Sequence, residues 1–289
     1  MDETIHLGLN KVKPHNKEVT GNEITRNGES FYKITNADGM RPFFMSIVSN
    51  SDHWMFISSK GSLSAGRKNS NYALFPYYTD DKITESAEVT GSKSIFIVTV
   101  LEKKHLWEPF SERHAQVYDT TRNLYKNIYG NKLIFEEINH DLQLTFSYEW
   151  NSSNQFGFIR KSQLVNNGKD AVKVDFMDGI QNILPYGVEE ALQNASSNLV
   201  DAYKKCELES DTGLGIYSLS AIIVDKAEPS EALKANVVWS AGLDNAKKLI
   251  SSLQLNAFRS GQPVQQEVDV RAEKGAYFLH DDIQLEANS

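Results

Sequence analysis

The sequence has a single cysteine, Cys206, so no disulfide can form within the chain. That fits a reducing compartment, and a cytoplasmic location is the expectation. Prolines are few, 7 in 289 residues, and no Pro/Gly/Ser-rich linker or internal repeat divides the chain. No run of about 18 apolar residues occurs, so no membrane-spanning helix is expected. Met1-Asp2-Glu3-Thr4-Ile5-His6 has neither a basic nor an apolar region, and no cleavable signal is expected there. Blocks of one charge are also missing. The 30 basic and 38 acidic residues leave a net charge of −8. This argues against nucleic acid, whose binding rests on neutralising phosphates.

Motifs for common chemistries are absent as well. There is no G-x-G-x-x-G, no P-loop, no paired-cysteine spacing and no G-x-S-x-G elbow. The seven histidines, His6, His15, His53, His105, His114, His140 and His280, show no metal-ligand spacing. His280-Asp281-Asp282 could bind a cation, but neighbours on a strand point different ways, so a solvated turn is the favoured reading. Neither a cofactor nor a metal is expected. The adjacent carboxylates Asp80-Asp81, Glu136-Glu137, Glu189-Glu190 and Asp281-Asp282 fail as glycosidic acid/base pairs for the same reason.

What the chain does have is alternation. In Leu142 to Trp150, Leu142, Leu144, Phe146, Tyr148 and Trp150 alternate with Gln143, Thr145, Ser147 and Glu149. Period two makes a half-buried strand of roughly 30 Å, with Trp150 on its core face. Lys132 to Ile138 precedes it as a hairpin partner. Further strands are expected over 31–34, 43–48, 53–58, 94–101, 156–165, 171–177, 216–224, 236–243, 265–271, 276–279 and 283–286. One helix is expected from Val188 to Tyr203, with Leu192, Ala195 and Leu199 on one face. A weaker helix is expected over Val117 to Ile128. The expectation is one all-β antiparallel domain over residues 1–289, with one or two short helices.

Aromatic residues supply the candidate site. Phe75-Pro76-Tyr77-Tyr78 is followed by Thr79-Asp80-Asp81, and the upstream loop from Gly61 to Asn71 carries Arg67. Sugars present C–H faces and hydroxyl edges, so flat rings beside Asp, Asn or Arg suit them. Arg67, Tyr77, Tyr78 and Asp80 are expected on one patch facing a sugar or a partner domain. Trp54, near a turn, is a further candidate. The competing reading is an ordinary sheet edge. Trp239 is expected in the core, and Trp107 is open.

Three segments resemble one family. Met40 to Ser59 resembles the early "R-P-W … S-N … G" segment of the cellobiose and chitobiose phosphorylases, glycoside hydrolase family 94. Ile134 to Phe146 resembles that family's hairpin. Phe158 to Gly168 resembles its next strand and "T-N" turn, ahead of Asp175-Phe176. The order covers about half the chain. Asp178 to Gly187 and the helix after it depart from the pattern. The resemblance implies a galactose mutarotase-like super-sandwich, two large antiparallel sheets face to face, forming the N-terminal part of a longer chain. It also implies a following helical barrel that carries the catalytic acid.

Three functions then compete. In the first, residues 1–289 are a non-catalytic carbohydrate-associated domain, inactive alone. It would pack on the helical domain, help shape a site for an oligosaccharide or sugar phosphate, and offer a homodimer face. The second is a free-standing mutarotase using a His among His53, His105, His114 and His140, with Glu136 or Glu149. The third is a structural interaction sandwich without ligand.

Overall fold

The computed structural model describes residues 4–13, 17–78, 80–223 and 233–289, without the side chains of Asp80 and Asp81. His15, Thr79 and Val224 lie outside the described residues. Strands β1 (His6–Leu7) and β2 (Asn10–Lys11) form a small ribbon. β3 (Thr20–Arg26) and β4 (Glu29–Thr35) form a hairpin. Its turn residues Asn27 and Gly28 both have positive φ, 50° and 80°. Asn-Gly is the pair that a tight primed turn favours.

Four strands then run up and down: β5 (Phe44–Ile47), β6 (His53–Ser58), β7 (Leu63–Arg67) and β8 (Ala73–Phe75). Their sheet order equals their chain order, as in a propeller blade. Helix α1 (Asp80–Glu85) leads to the β9 (Gly91–Val100) and β10 (Lys103–Trp107) hairpin. A meander follows: β11 (Thr120–Asn127), β12 (Leu133–Asn139), β13 (Leu144–Ser153) and β14 (Gly157–Asn166). β15 (Val172–Ile183) then pairs with β9. Helix α2 (Glu190–Tyr203) precedes β16 (Lys204–Glu209), β17 (Leu214–Leu219) and β18 (Asn236–Val238). The last elements are β19 (Lys247–Ser251), α3 (Leu255–Arg259), β20 (Asp269–Arg271) and β21 (Gly275–Leu285).

The protein is all-β, as the alternation predicts. Pairing nevertheless divides the strands of the described residues among four larger sheets, not two. A six-stranded sheet runs β14-β13-β12-β11-β4-β3 and a five-stranded sheet runs β10-β9-β15-β21-β19. The β5–β8 blade and a second four-stranded sheet, β18-β17-β16-β20, complete the set. Residues from all four contribute to one apolar cluster, among them Phe146, Phe96, Met55 and Tyr217. The six- and five-stranded sheets meet there, with Phe96 and Phe146 rings 5.0 Å apart. The five-stranded sheet is buried on both faces. Phe96 and Val98 enter the main core, while Ile95 and Ile97 meet Leu255 and Phe258 of α3. That explains why Ser94–Leu101 reads as apolar throughout instead of alternating.

The hairpin expected around Asn139-His140-Asp141 is present, with Phe135 opposite Tyr148 and stacked on it at 4.9 Å. Trp150 is 2% exposed, in the core as expected. Other expectations need correction. Val117–Ile128 is not a helix. It contains β11, held on both sides by β4 and β12, and Leu124 faces the main core while Tyr125 faces a separate outer cluster. Pairing partners distant in sequence override a weak local periodicity. Three α-helices occur among the described residues, one more than the upper expectation. In α2 the backbone leaves helical angles at Ser196 (φ −146°, ψ 39°), which rotates the apolar stripe. Val200 is buried and Leu199 is exposed as a result.

His280-Asp281-Asp282 is not a turn but the middle of one continuous β21, opposite Met177, Phe176 and Asp175. β15 runs on past Met177 because Gly179 lets β21 approach. A Cβ there would come within 2.0 Å of the Tyr277 carbonyl. Trp239 is not core. It is 51% exposed and meets the exposed Phe156 edge-on at 5.7 Å. The strand expected over 236–243 stops at Val238, so nothing continues over the ring. Trp107, left open, is buried. The lone thiol of Cys206 is buried too, and burial pushes its pKa up to about 12. No helix among the described residues is long and apolar enough to cross a membrane.

Candidate functional site

The β5–β8 blade positions the expected aromatic residues. On β6, His53, Met55 and Ile57 point into the protein, while Trp54 and Phe56 take the other face. On β5, Met45 and Ile47 are buried and Phe44 is exposed. The outward rings form a row. Phe44 stacks on Phe56 at 5.4 Å, Phe56 meets Trp54 at 5.8 Å, and Trp54 meets Tyr77 edge-on at 5.7 Å. Trp54 lies opposite Gly66 of β7, where a Cβ would come within 2.6 Å of the indole. Glycine leaves the space in which the ring crosses the strand. The indole N–H donates to the Asn69 carbonyl at 3.3 Å. Behind the row, Trp54 packs on a small cluster that includes Ala73, Val188 and Val200. Gln193 of α2 fixes the Tyr77 backbone, accepting from its N–H at 3.2 Å and donating to its carbonyl at 3.3 Å.

The other expected residues do not join this row in the same way. Arg67 is exposed, but its Nε and Nη2 both donate to Asp52 Oδ1, at 3.0 and 2.9 Å. That hydrogen bond holds the Asp52 carboxyl below its ordinary value. The guanidinium charge is thus already met. Tyr78 is half-buried, and burial, with the nearby Asp201 carboxylate, pushes its hydroxyl pKa up. Asp80 opens α1, and its side chain lies outside the described residues. Trp54 and Tyr77 are therefore the two expected residues brought into ring contact. Phe44 and Phe56 were missed, although strict alternation around Met45, Met55 and Ile57 places both on the outer face.

A concave feature lies where the chain after β10 crosses toward β11. Glu137 organises it, accepting at 2.7 Å each from Trp107 Nε1, the Phe110 N–H and Arg122 Nε. Phe110 sits at φ 62°, a left-handed conformation uncommon for a bulky residue. Its ring is wedged edge-on against Phe135 at 6.1 Å and Tyr148 at 5.3 Å. Two clefts flank this residue and share Phe110 and Lys60 as walls. Both are shallow: the first holds about 50 Å³ and the second about 20 Å³, and their open mouths bring the surrounding empty space to about 500 and 310 Å³. The sequence carries no local sign of them, because their walls come from seven separate stretches of chain.

Beside the second cleft, Glu88 accepts from Lys93 Nζ at 2.7 Å, the Ser111 hydroxyl at 2.8 Å and the Glu112 N–H at 2.8 Å. Burial alone would raise the Glu88 carboxyl. The Lys93 charge and these donors outweigh it and hold the pKa at about 2, against an ordinary 4.5. A depressed folded-state pKa contributes stability above pH 4.5 that fades as pH falls toward 2. Urea midpoints of the wild type and Glu88→Gln are expected to differ most near neutral pH and to converge over that window. A constant difference down to pH 2 contradicts this assignment.

The histidines considered for acid/base work are dispersed. His53 bonds Ser51, His140 bonds Thr121 and His114 approaches Glu108 at 3.5 Å. Glu136 accepts from Tyr125 and Asn123, and Glu149 accepts from Asn151. No family model matches the chain, and no curated protein matches it.

Proposed function

We propose that the protein is a non-catalytic, carbohydrate-associated β-domain. The observation that carries this reading is the outward row Phe44–Phe56–Trp54–Tyr77, formed by the β5–β8 blade and the chain just after it, with Asn69 and Asn71 beside it. Flat rings with polar neighbours match the C–H faces and hydroxyl edges of a glycan. The family 94-like order of segments supports the same reading. On it, the four sheets are interrupted parts of a galactose mutarotase-like super-sandwich. The domain packs on a helical catalytic domain of the same chain, helps shape an oligosaccharide site, and works in the cytoplasm, as a homodimer where a second copy docks.

Calorimetric or NMR titration with cello- and chito-oligosaccharides tests the reading. Binding is expected with perturbed Trp54 and Tyr77 signals. Trp54→Ala is expected to weaken it at least about tenfold, as removal of a central aromatic anchor does. Absence of any oligosaccharide response in the wild type overturns the proposal.

A further inference from the structure

We infer that the paired clefts around Phe110 bind one neutral sugar unit, at a subsite separate from the aromatic row. The inference rests on the carbohydrate reading above. Its basis is the lining of the first cleft. Met40, Pro42 and Phe110 supply apolar walls, while Asp38, Lys60 and Glu112 supply polar ones. A single pyranose presents that same mixture, C–H faces in its middle and hydroxyls around its edge. The second cleft is more polar. Ser92, Ser94, Ser111 and Tyr148 line it; the Ser94 and Ser111 hydroxyls already donate to Asp178 and Glu88, so their oxygens can only accept from sugar hydroxyls that extend past Phe110.

Charge selects the ligand class. The cations that line the clefts already have carboxylate partners. Lys60 meets Glu112 at 3.5 Å, Lys93 meets Glu88 at 2.7 Å and Glu108 at 3.0 Å, and Arg122 meets Glu137 at 2.7 Å. A phosphate or uronate therefore finds no uncompensated positive charge there, and pays for displacing one of these carboxylates. A neutral polyol bonds to paired charges without separating them.

Backbone strain points to the same place. Phe110 is kept at φ 62° by its N–H bond to Glu137 and by its wedged ring. Beside it, Gly61 takes φ 91° without strain, and only glycine fits there because a Cβ would come within 2.5 Å of the Tyr148 hydroxyl. A conformation such as that of Phe110 persists where the surrounding structure over-determines it, commonly at binding sites. The subsite also adjoins the aromatic row along the chain. Phe44, at the end of the row, pairs with Ser58, one residue before Ser59 of the cleft wall.

The test is a ¹H–¹⁵N NMR titration of the full chain with glucose, N-acetylglucosamine, glucose 1-phosphate and inorganic phosphate. A neutral monosaccharide is expected to shift the amides of Ser59, Lys60, Phe110 and Glu112. Lys60→Ala removes a charged hydrogen-bond donor at the exposed rim and is expected to weaken that binding about tenfold. Met40→Trp, also at the exposed rim, fills the first cleft and is expected to abolish it. Trp54→Ala is expected to weaken oligosaccharide binding. Oligosaccharides that bind the row, with monosaccharides leaving the cleft amides unmoved, overturn this inference alone. Glucose 1-phosphate binding far tighter than glucose, or displacement by inorganic phosphate, overturns the neutral-ligand assignment. Failure of all sugars to bind overturns both proposals.

Discussion

Glu108→Ala is expected to destabilise the protein by about 3–5 kcal/mol, the range for breaking a buried ion pair from one side. The Glu108 side chain is completely buried. It accepts from Arg259 Nε at 2.7 Å and Nη2 at 3.0 Å, and lies 3.0 Å from Lys93 Nζ. These three residues belong to the chain just after β10, to α3 and to β9. The network thus clamps the helix that covers the second face of the five-stranded sheet. Burial pushes the Glu108 carboxyl up, but Arg259 and Lys93 together pull it below its ordinary value. Alanine leaves the Arg259 guanidinium, 13% exposed, without this carboxylate, and Lys93 with Glu88 alone. Chemical denaturation checks the prediction. Glu108→Gln keeps the shape and two acceptor lone pairs, so it should cost less. A loss under about 1 kcal/mol for the alanine variant would mean that the pair behaves as a surface one.

The second large effect is expected at Trp150, where alanine should cost about 3–5 kcal/mol through lost burial and the cavity left behind. The ring is 2% exposed, meets Phe75 edge-on at 6.4 Å, and faces Leu133 and Arg160 across the sheet. Its indole N–H is buried without a partner among the described residues. An unsatisfied buried donor carries a penalty of about 1–3 kcal/mol. Trp150→Phe removes that penalty while keeping most of the ring, and should therefore cost far less than alanine. Urea midpoints at constant m-value measure both. Equal losses for the two variants would show that the N–H has a partner after all.

Strands flanked by their own chain neighbours were legible from residues alone. The Leu133–Asn139 and Leu144–Ser153 hairpin follows from period-two alternation and a polar turn, and its ends come within three residues of the expected ones. The outer position of Trp54 follows from the same rule. Less legible were segments whose partners are remote. β11 carries too few alternating apolar residues to be told from a helix, and pairing with β4, some ninety positions earlier, decides it. Trp239 was misplaced because a large apolar ring normally ends up inside. Here the strand that carries it stops one residue short of the ring.

The candidate site divides along the same line. The aromatic types near Phe75 and Trp54 are written in the chain, and Trp54 and Tyr77 do meet. Whether Arg67 is free for a ligand is not written there, because Asp52 reaches it only through the β6–β7 register. The clefts at Phe110 are less visible still. Their walls join residues near 40, 60, 90 and 110 to β11, β12 and β13, and Arg259 reaches Glu108 across 151 positions. Local sequence determined the all-β class, the strongest hairpin and the outward rings, since side-chain alternation is a property of adjacent residues. Tertiary structure alone decided the division into four sheets, the buried charges and the clefts, because each depends on which distant segments exclude water together.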